Sequence, residues 1–418
     1  MKMFKIVSAA AAGNTLEMYD MTIYGFFAHI ISKNFFPQED KLAGIASVFA
    51  IFLIGYLARP LGSIIFGQIG DKLGRKPSLL LSIWLIAIST FLLGLLPTFN
   101  TIGIWAPLLL VLVRLLQGLS SGGEFTGSII FVVEHAEAGK RNFYGSLGQL
   151  GVGLGLVLAS FIAWLINLIF SHQQIVDWAW RIPFLLALTG GFLGGLIRRG
   201  VAEPGLFKQS QQLQMAKSYF SYKRDFFKQL RQGVIILGLT LFAVVLTYLI
   251  YIFVVTYMTS ILHYTMRQTL TINISSIILL VILEPCMGKL ADKIGRRPLM
   301  FAAIIGSAVW VFPYFILLQQ HQLLTAFIAQ FVMTVFGAAY FAVVIVSMVE
   351  AVAIKKRFSI VSFFYAVGAS IFGGGTPFIA TLLIKLTHSY SSLSIYLIVC
   401  ALLSLCAVYK LRETKAES

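Results

Sequence analysis

The chain has 418 residues, 58% of them hydrophobic and only 11% charged, with a mean hydropathy of +0.88. This excludes an ordinary water-soluble globule and makes lipid the solvent. A net charge of +16 would suggest nucleic acid in a soluble protein; in a membrane chain the placement of charges matters more than their sum, and no nucleic-acid partner is expected.

A hydrocarbon core about 30 Å thick takes roughly 20 apolar residues per helix, so the length accommodates about a dozen spans with short loops. The apolar runs predict them near 6–32, 42–69, 78–97, 104–133, 143–170, 181–198, 233–261, 268–290, 299–318, 322–352, 357–384 and 391–411. The small-residue run from Ser8 to Ala12 resembles a signal-peptide cleavage region, but the segment continues into charged residues and reads as a retained span. Between 199 and 232 hydropathy collapses into an amphipathic stretch containing Phe207, Phe220, Phe226 and Phe227, a linker expected to lie on the inner membrane surface. It divides the chain into bundles at 1–198 and 233–418. With the N-terminus inside, 25 of the 32 lysines and arginines fall on the inner side, and only Arg59 and Arg114 lie within spans. The positive-inside rule then places both termini in the cytoplasm of a bacterial inner membrane.

Two stretches are variants of one another, GQIGDKLGRKP at 67–77 and GKLADKIGRRP at 288–298, each joining the second span of a six to the third. They mark an internal duplication. In each, the acid can cap the next helix and pair with the following bases: Asp71 with Arg75 or Lys76, and Asp292 with Arg296 and Arg297. Such latches would hold an inner gate. Two copies at equivalent places resemble the signature of the major facilitator superfamily. The resemblance implies an all-α membrane fold of twelve helices in two pseudo-symmetric six-helix bundles, with a midplane cavity worked by alternating access.

Four further motifs, GNTLEMYDMTIYGF (13–26), RPLGS (59–63), RLLQGLSSGGEFTGS (114–128) and WAWRIPFLLA (178–187), resemble the metabolite:proton symporter family, whose members carry proline and betaine, alpha-ketoglutarate, citrate or shikimate. FGGGTP at 372–377 is similar to that family's break in the eleventh span. Three departures stand beside it. VAIKKRF replaces the family's Phe-Pro-Thr-x-x-Arg-Tyr, leaving Arg357 and Phe358. Tyr365-Ala366 stands where the osmolyte carriers have Tyr-Asn. The sequence stops at Ser418 without a coiled-coil tail, so osmotic activation is not expected.

Ionisable side chains within a bilayer are functional candidates by default. Glu17 and Asp20 are three apart and share one helical face, with Arg114 expected at similar depth across the cavity. The sharpest reading makes Asp20 the proton carrier and Arg114 its modulator, supported by the resemblance to proton-coupled sugar porters with an acid and an arginine in matching places. A static buried salt bridge is the alternative. Glu124 follows a Gly-Gly pair and either joins the proton path, binds substrate or pairs across helices. Glu134, Glu203 and Glu350, near Arg141, Arg199 and Arg357, resemble the superfamily's inner-face charge network and read as gate residues. Glu284, before Pro285, has no obvious local partner and reads equally as proton relay or gate.

Arg114 is expected to be the cavity's one available cation, with Arg59 structural. This disfavours a tricarboxylate against a zwitterion or monocarboxylate. Tyr19, Tyr24, Tyr248, Tyr251, Tyr257 and Tyr365 could supply hydroxyls or a cation-π face. The expectation is proton-coupled import of a small polar solute, an amino acid, a betaine or a mono- or dicarboxylate, by a monomer with no cofactor beyond the coupling proton. The alternative is an exporter of a metabolite, siderophore or drug, weakened because Gly151-Val152-Gly153 lacks the proline of the antiporter element. Cys286, Cys400 and Cys406 have no metal-ligand spacing, the six histidines are scattered, and no nucleotide loop or nucleophile elbow is found. No enzyme and no metal are expected.

Overall fold

A computed structural model describes residues 2–36, 41–73, 75–122, 124–137, 139–199, 230–352 and 357–411. Helices stand at each of the twelve expected positions and are called the first to twelfth segments here. The first bundle runs Lys2–Phe26 with Ala28–Phe35, Lys41–Leu57 with Arg59–Leu73, Arg75–Leu95, Trp105–Ser120 with Glu124–His135, Arg141–Ile169 and Ile182–Arg199. The second begins at Leu230–Thr247 and continues through Tyr248–Phe253 and Val254–Thr256 to Tyr257–Ile261. Met266–Ile294, Arg296–Gln319 and Leu323–Glu350 follow, then Arg357–Gly368 running on to Gly374–Thr387, and finally Ser391–Lys410. The expected linker lies outside the described residues except at its ends, where the seventh segment already starts at Leu230.

Ten of the described helices are long and apolar enough to cross a membrane, and Leu80–Leu95 in the third segment is a shorter apolar helix. The first segment falls short because Asn14, Glu17 and Asp20 dilute it, yet all three are buried. Its polarity therefore points into protein. The surface carries the opposite chemistry, with Leu61, Trp105, Val309, Leu324 and Leu403 exposed where acyl chains would cover them.

Within the first bundle the first segment packs on the fifth and the third on the sixth; within the second, the ninth packs on the tenth and twelfth. Between bundles, the fifth meets the eighth and the second meets the eleventh. A half-turn that exchanges the bundles maps one of these contacts onto the other. Small residues permit the closeness, since helices in lipid associate by backbone approach and packing. A Cβ on Gly151 or Gly155 would collide with the first segment at Ala11 or Thr15, and one on Gly118 would collide with Gly55. Gly145 and Gly153 leave no room on the fifth segment's other side, where Val346 and Val281 of the second bundle press in. The fifth segment is thus a wedge with glycine on both working faces.

At the end of the bundle away from the termini, Arg181 donates through Nη1 to the carbonyls of Gly94 and Leu96 at 2.9 and 2.6 Å, satisfying the open end of the third segment. Beside it Trp180 is fully buried. The WAWRIPFLLA motif is accordingly a scaffold element in this structure.

Two segments depart from regular winding. Tyr248–Phe253 and Tyr257–Ile261 in the seventh, and Ala369–Gly373 in the eleventh, form π-helical turns, which carry an extra residue per hydrogen-bonded loop. Such turns concentrate at functional sites. Here they meet: Gly373 and Gly374 lie against the rings of Tyr248 and Tyr56.

Candidate functional site

A cavity of about 60 Å³ lies between the bundles. From the first bundle it is lined by Asn14, Glu17, Arg59 and Gln149, and from the second by Tyr248, Tyr251, Glu284 and Tyr365. Contacts between the bundles flank it towards both ends. Away from the termini, Gly25 presses on Ile252 and Phe49 on Phe253, with ring centroids 6.1 Å apart. Towards the termini, Thr126 donates to Ser362 at 2.8 Å.

Arg59 opens the second helix of its segment and reaches Glu17 through Nη2–Oε1 at 2.5 Å, both side chains buried. Its guanidinium also lies 4.2 Å from the centre of the Tyr56 ring. The Tyr56 hydroxyl meets that of Tyr248 in a short hydrogen bond that ties the second segment to the seventh. Ser370 completes the seam by donating to the Tyr56 carbonyl at 2.6 Å. The expectation that Arg59 is merely structural is therefore corrected: it is the arginine on the cavity wall.

Arg114 is elsewhere. It is fully buried in the first bundle, 3.4 Å from the centre of the Tyr24 ring and 5.5 Å from that of Phe52. Its Nη1 faces Asp20 Oδ2 at 3.7 Å, too long for a hydrogen bond. The other oxygen of Asp20 is firmly held, accepting from Thr90 at 2.6 Å and Gln117 at 2.7 Å. Asp20 Oδ2 makes no hydrogen bond with a described residue. Arg114 does not line the cavity, and the expectation that it is a substrate cation is corrected too. Glu17 and Asp20, three residues apart, diverge: Glu17 turns to the cavity and Asp20 to the third and fourth segments.

The tyrosines separate into two groups. Tyr19 donates to the Pro183 carbonyl at 2.6 Å and Tyr24 to that of Val48 at 3.0 Å, both inside the first bundle. Neither lines the cavity, contrary to expectation. Tyr257 packs among Phe315 and Tyr390, also away from it. Tyr248, Tyr251 and Tyr365 do line it. Tyr251 spends its hydroxyl on Thr334 at 3.2 Å, and the Tyr365 ring lies 5.0 Å from Phe125.

At the termini end, Asp292 does not cap its own next helix with Arg296 and Arg297. It crosses to the other bundle, where Oδ1 accepts from the Asn142 amide and side chain at 3.1 and 2.8 Å, and Oδ2 from the Phe143 amide at 3.1 Å. A carboxylate on the first amides of a helix is favoured by both unpaired N–H groups and the helix dipole. Arg296 instead binds Glu350 at 2.5 Å, and Glu350 also takes Arg141 at 3.2 Å from the first bundle. Arg297 donates to the Tyr409 carbonyl at 3.1 Å. The side chains of Asp71, Arg75, Glu124, Glu134, Arg199 and Arg357, and all of Glu203, lie outside the described residues.

Glu284 is 4% exposed, lines the cavity from the eighth segment, and makes no ion pair or hydrogen bond with a described residue. Sequence reasoning missed Tyr56, Thr90 and Gln117. Gln117 had a readable signal, three residues after Arg114 and so on the same helical face; Tyr56 and Thr90 had none. No group of three metal-ligating side chains occurs among the described residues.

The model for "Sugar (and other) transporter" matches residues 5–197, and the "Major Facilitator Superfamily" model matches 236–418. The chain is 32% identical to the proline/betaine transporter of Escherichia coli K12, covering 99% of this chain and 84% of that one. It is 34% identical to the shikimate transporter of the same organism, covering 97% and 93%. A third relative, the glycine betaine/proline/ectoine/pipecolic acid transporter OusA of Dickeya dadantii, is 32% identical over 98% of this chain and 83% of its own. Among solved structures, the partially occluded inward open conformation of the E. coli xylose transporter XylE superposes with a TM-score of 0.76 at 18% identity, covering 100% and 99% of the two chains.

Proposed function

The chain belongs to the major facilitator superfamily and, within it, to the metabolite:proton symporter family; from that premise we propose that it imports a small polar organic solute together with a proton. It works by alternating access in a bacterial inner membrane, with both termini in the cytoplasm, as a monomer whose one coupling ion is the proton. Transport, not catalysis, is its chemistry.

The observation that carries this reading is the split environment of Asp20. One oxygen is fixed by Thr90 and Gln117, while the other faces Arg114 at 3.7 Å with no hydrogen bond from a described residue. A proton arriving on that open oxygen removes the attraction to Arg114, whose guanidinium then rests on the Tyr24 ring. The second and fourth segments, joined at Gly55 and Gly118, carry that change to Arg59 and the Tyr56–Tyr248 seam. Coupling passes from proton to cavity without the two sites touching.

The solute is a zwitterion or a monocarboxylate. Among the described residues Arg59 is the cavity's cation and Glu17 already balances it, so they leave no surplus positive charge on the wall for a polycarboxylate. The named substrates of the relatives, proline, betaines and shikimate, lie within that class.

The test is uptake into proteoliposomes holding the full chain, driven by an imposed proton gradient, of labelled proline, glycine betaine and shikimate. The wild type accumulates at least one of them. Asp20→Asn loses accumulation but keeps exchange of labelled for unlabelled solute across the membrane. Accumulation by Asp20→Asn at the wild-type level would remove the proton role from Asp20, and a wild type inert to all three under the gradient would remove the import reading.

A further inference from the structure

Among the described residues, Glu284 is the one charged side chain on the cavity wall that proton coupling at Asp20 leaves unused. Of the charged side chains lining the cavity, Glu17 and Arg59 neutralise one another in the first bundle. Glu284 stands in the second bundle, buried and without an ion pair or hydrogen bond to any described residue. A bare carboxylate in such surroundings is costly unless a cation or a proton meets it. The cavity is therefore short of one positive charge, and the shortage is on the wall opposite the arginine.

The neighbouring aromatic groups set the kind of cation. Tyr248 and Tyr251 line the same cavity, but their hydroxyls are committed to Tyr56 and Thr334. What they offer a ligand is ring, the surface that attracts amines and quaternary ammonium groups. On the other wall, Arg59 binds Glu17 through Nη2 while its buried Nε has no hydrogen-bond partner among the described residues. Arg59 thus has a donor to spare for a carboxylate.

We propose that Glu284 receives the cationic nitrogen of a zwitterionic solute whose carboxylate goes to Arg59. The proposal rests on the transport reading for its setting and narrows it to zwitterions. A solute held this way has one charge on each bundle, so binding itself draws the halves together. A monocarboxylate without nitrogen satisfies Arg59 and leaves Glu284 bare.

Carbon isosteres separate the two charges. 3,3-Dimethylbutanoate is glycine betaine with its nitrogen replaced by carbon, and cyclopentanecarboxylate stands in the same relation to proline. Calorimetric titration of the purified full chain measures all four. The wild type prefers each zwitterion over its isostere by about tenfold or more. In Glu284→Gln the preference falls to about one, with the isosteres bound at least as well as before. Glu284→Asp, which keeps the charge on a shorter arm, weakens glycine betaine more than 3,3-dimethylbutanoate and serves if the glutamine variant does not fold.

Equal binding of zwitterion and isostere by the wild type, or no binding of either zwitterion, overturns the proposal while leaving proton-driven uptake of a carboxylate intact. An unchanged preference in Glu284→Gln overturns it as well, and does so most plainly if proton-driven uptake is lost, since Glu284 would then be a proton group. A preference that Glu284→Gln abolishes in a protein that moves no solute in proteoliposomes would retain the site and reject the transport reading.

Discussion

Among the described residues Arg59 and Arg114 are the two buried cations, yet one has a carboxylate in firm contact and the other has a ring against it and a carboxylate at arm's length. Their burial makes them unequal in what their loss would do. Glu17→Gln leaves Arg59 buried without its counter-charge, and removing one partner of a buried pair costs about 3–5 kcal/mol. A lower melting temperature of the purified variant is expected, restored in part by Glu17→Gln combined with Arg59→Gln; a single variant as stable as the wild type would show the pair to be dispensable. Composition alone exposes such residues, because few charges fall in apolar runs. It does not say which way they point. Three residues along a helix is a displacement of about 60° around the axis, enough to send Glu17 to the cavity and Asp20 into the bundle, and only the packed neighbours decide between them.

The fifth segment is where element-scale reading succeeded furthest. Its run of glycines is visible in the sequence, as close helix contact or bending, and the structure makes it contact, on two faces with different duties. Gly155 meets the first segment within its own bundle, whereas Gly153 meets Val281 across the moving interface. Gly155→Leu therefore strains a permanent contact by about 1–3 kcal/mol or more and lowers thermal stability. Gly153→Leu obstructs closure instead, and should cut transport by more than about tenfold with little change in melting temperature. Equal loss of stability in the two variants would erase the distinction. The π-helical turns at Tyr248 and Ala369 were not legible at all. An inserted residue in a helix is chosen by what lies across from it, here Tyr56, Gly373 and Gly374, and nothing local in the sequence records that.

For the whole molecule, the duplication, the twelve helices and the bundle count were open to reading because lipid enforces long apolar runs and leaves few alternatives. The latch partners were not, since Asp292 and Glu350 reach across bundles rather than along the chain. Glu350→Gln should take the carboxylate charge away from Arg141 and Arg296 and loosen the termini end. In a background without the native cysteines, a cysteine at Ser362, beneath the Thr126 contact, is expected to react faster with a water-soluble maleimide once Glu350 is replaced; an unchanged rate would place the gate elsewhere. The two latches also differ in kind. Arg141 is half exposed, while Asp292 is seated on helix amides and the Asn142 side chain. Exposed charge pairs weaken as ions screen them over about 8 Å at physiological salt, whereas partly buried hydrogen bonds feel little of it. The protein thus carries one fastening, through the half-exposed Arg141, that ionic strength can slacken beside one that it hardly reaches, so salt at the termini end would ease the first step of gate opening and leave the Asp292 seat to be released by the rocking of the bundles.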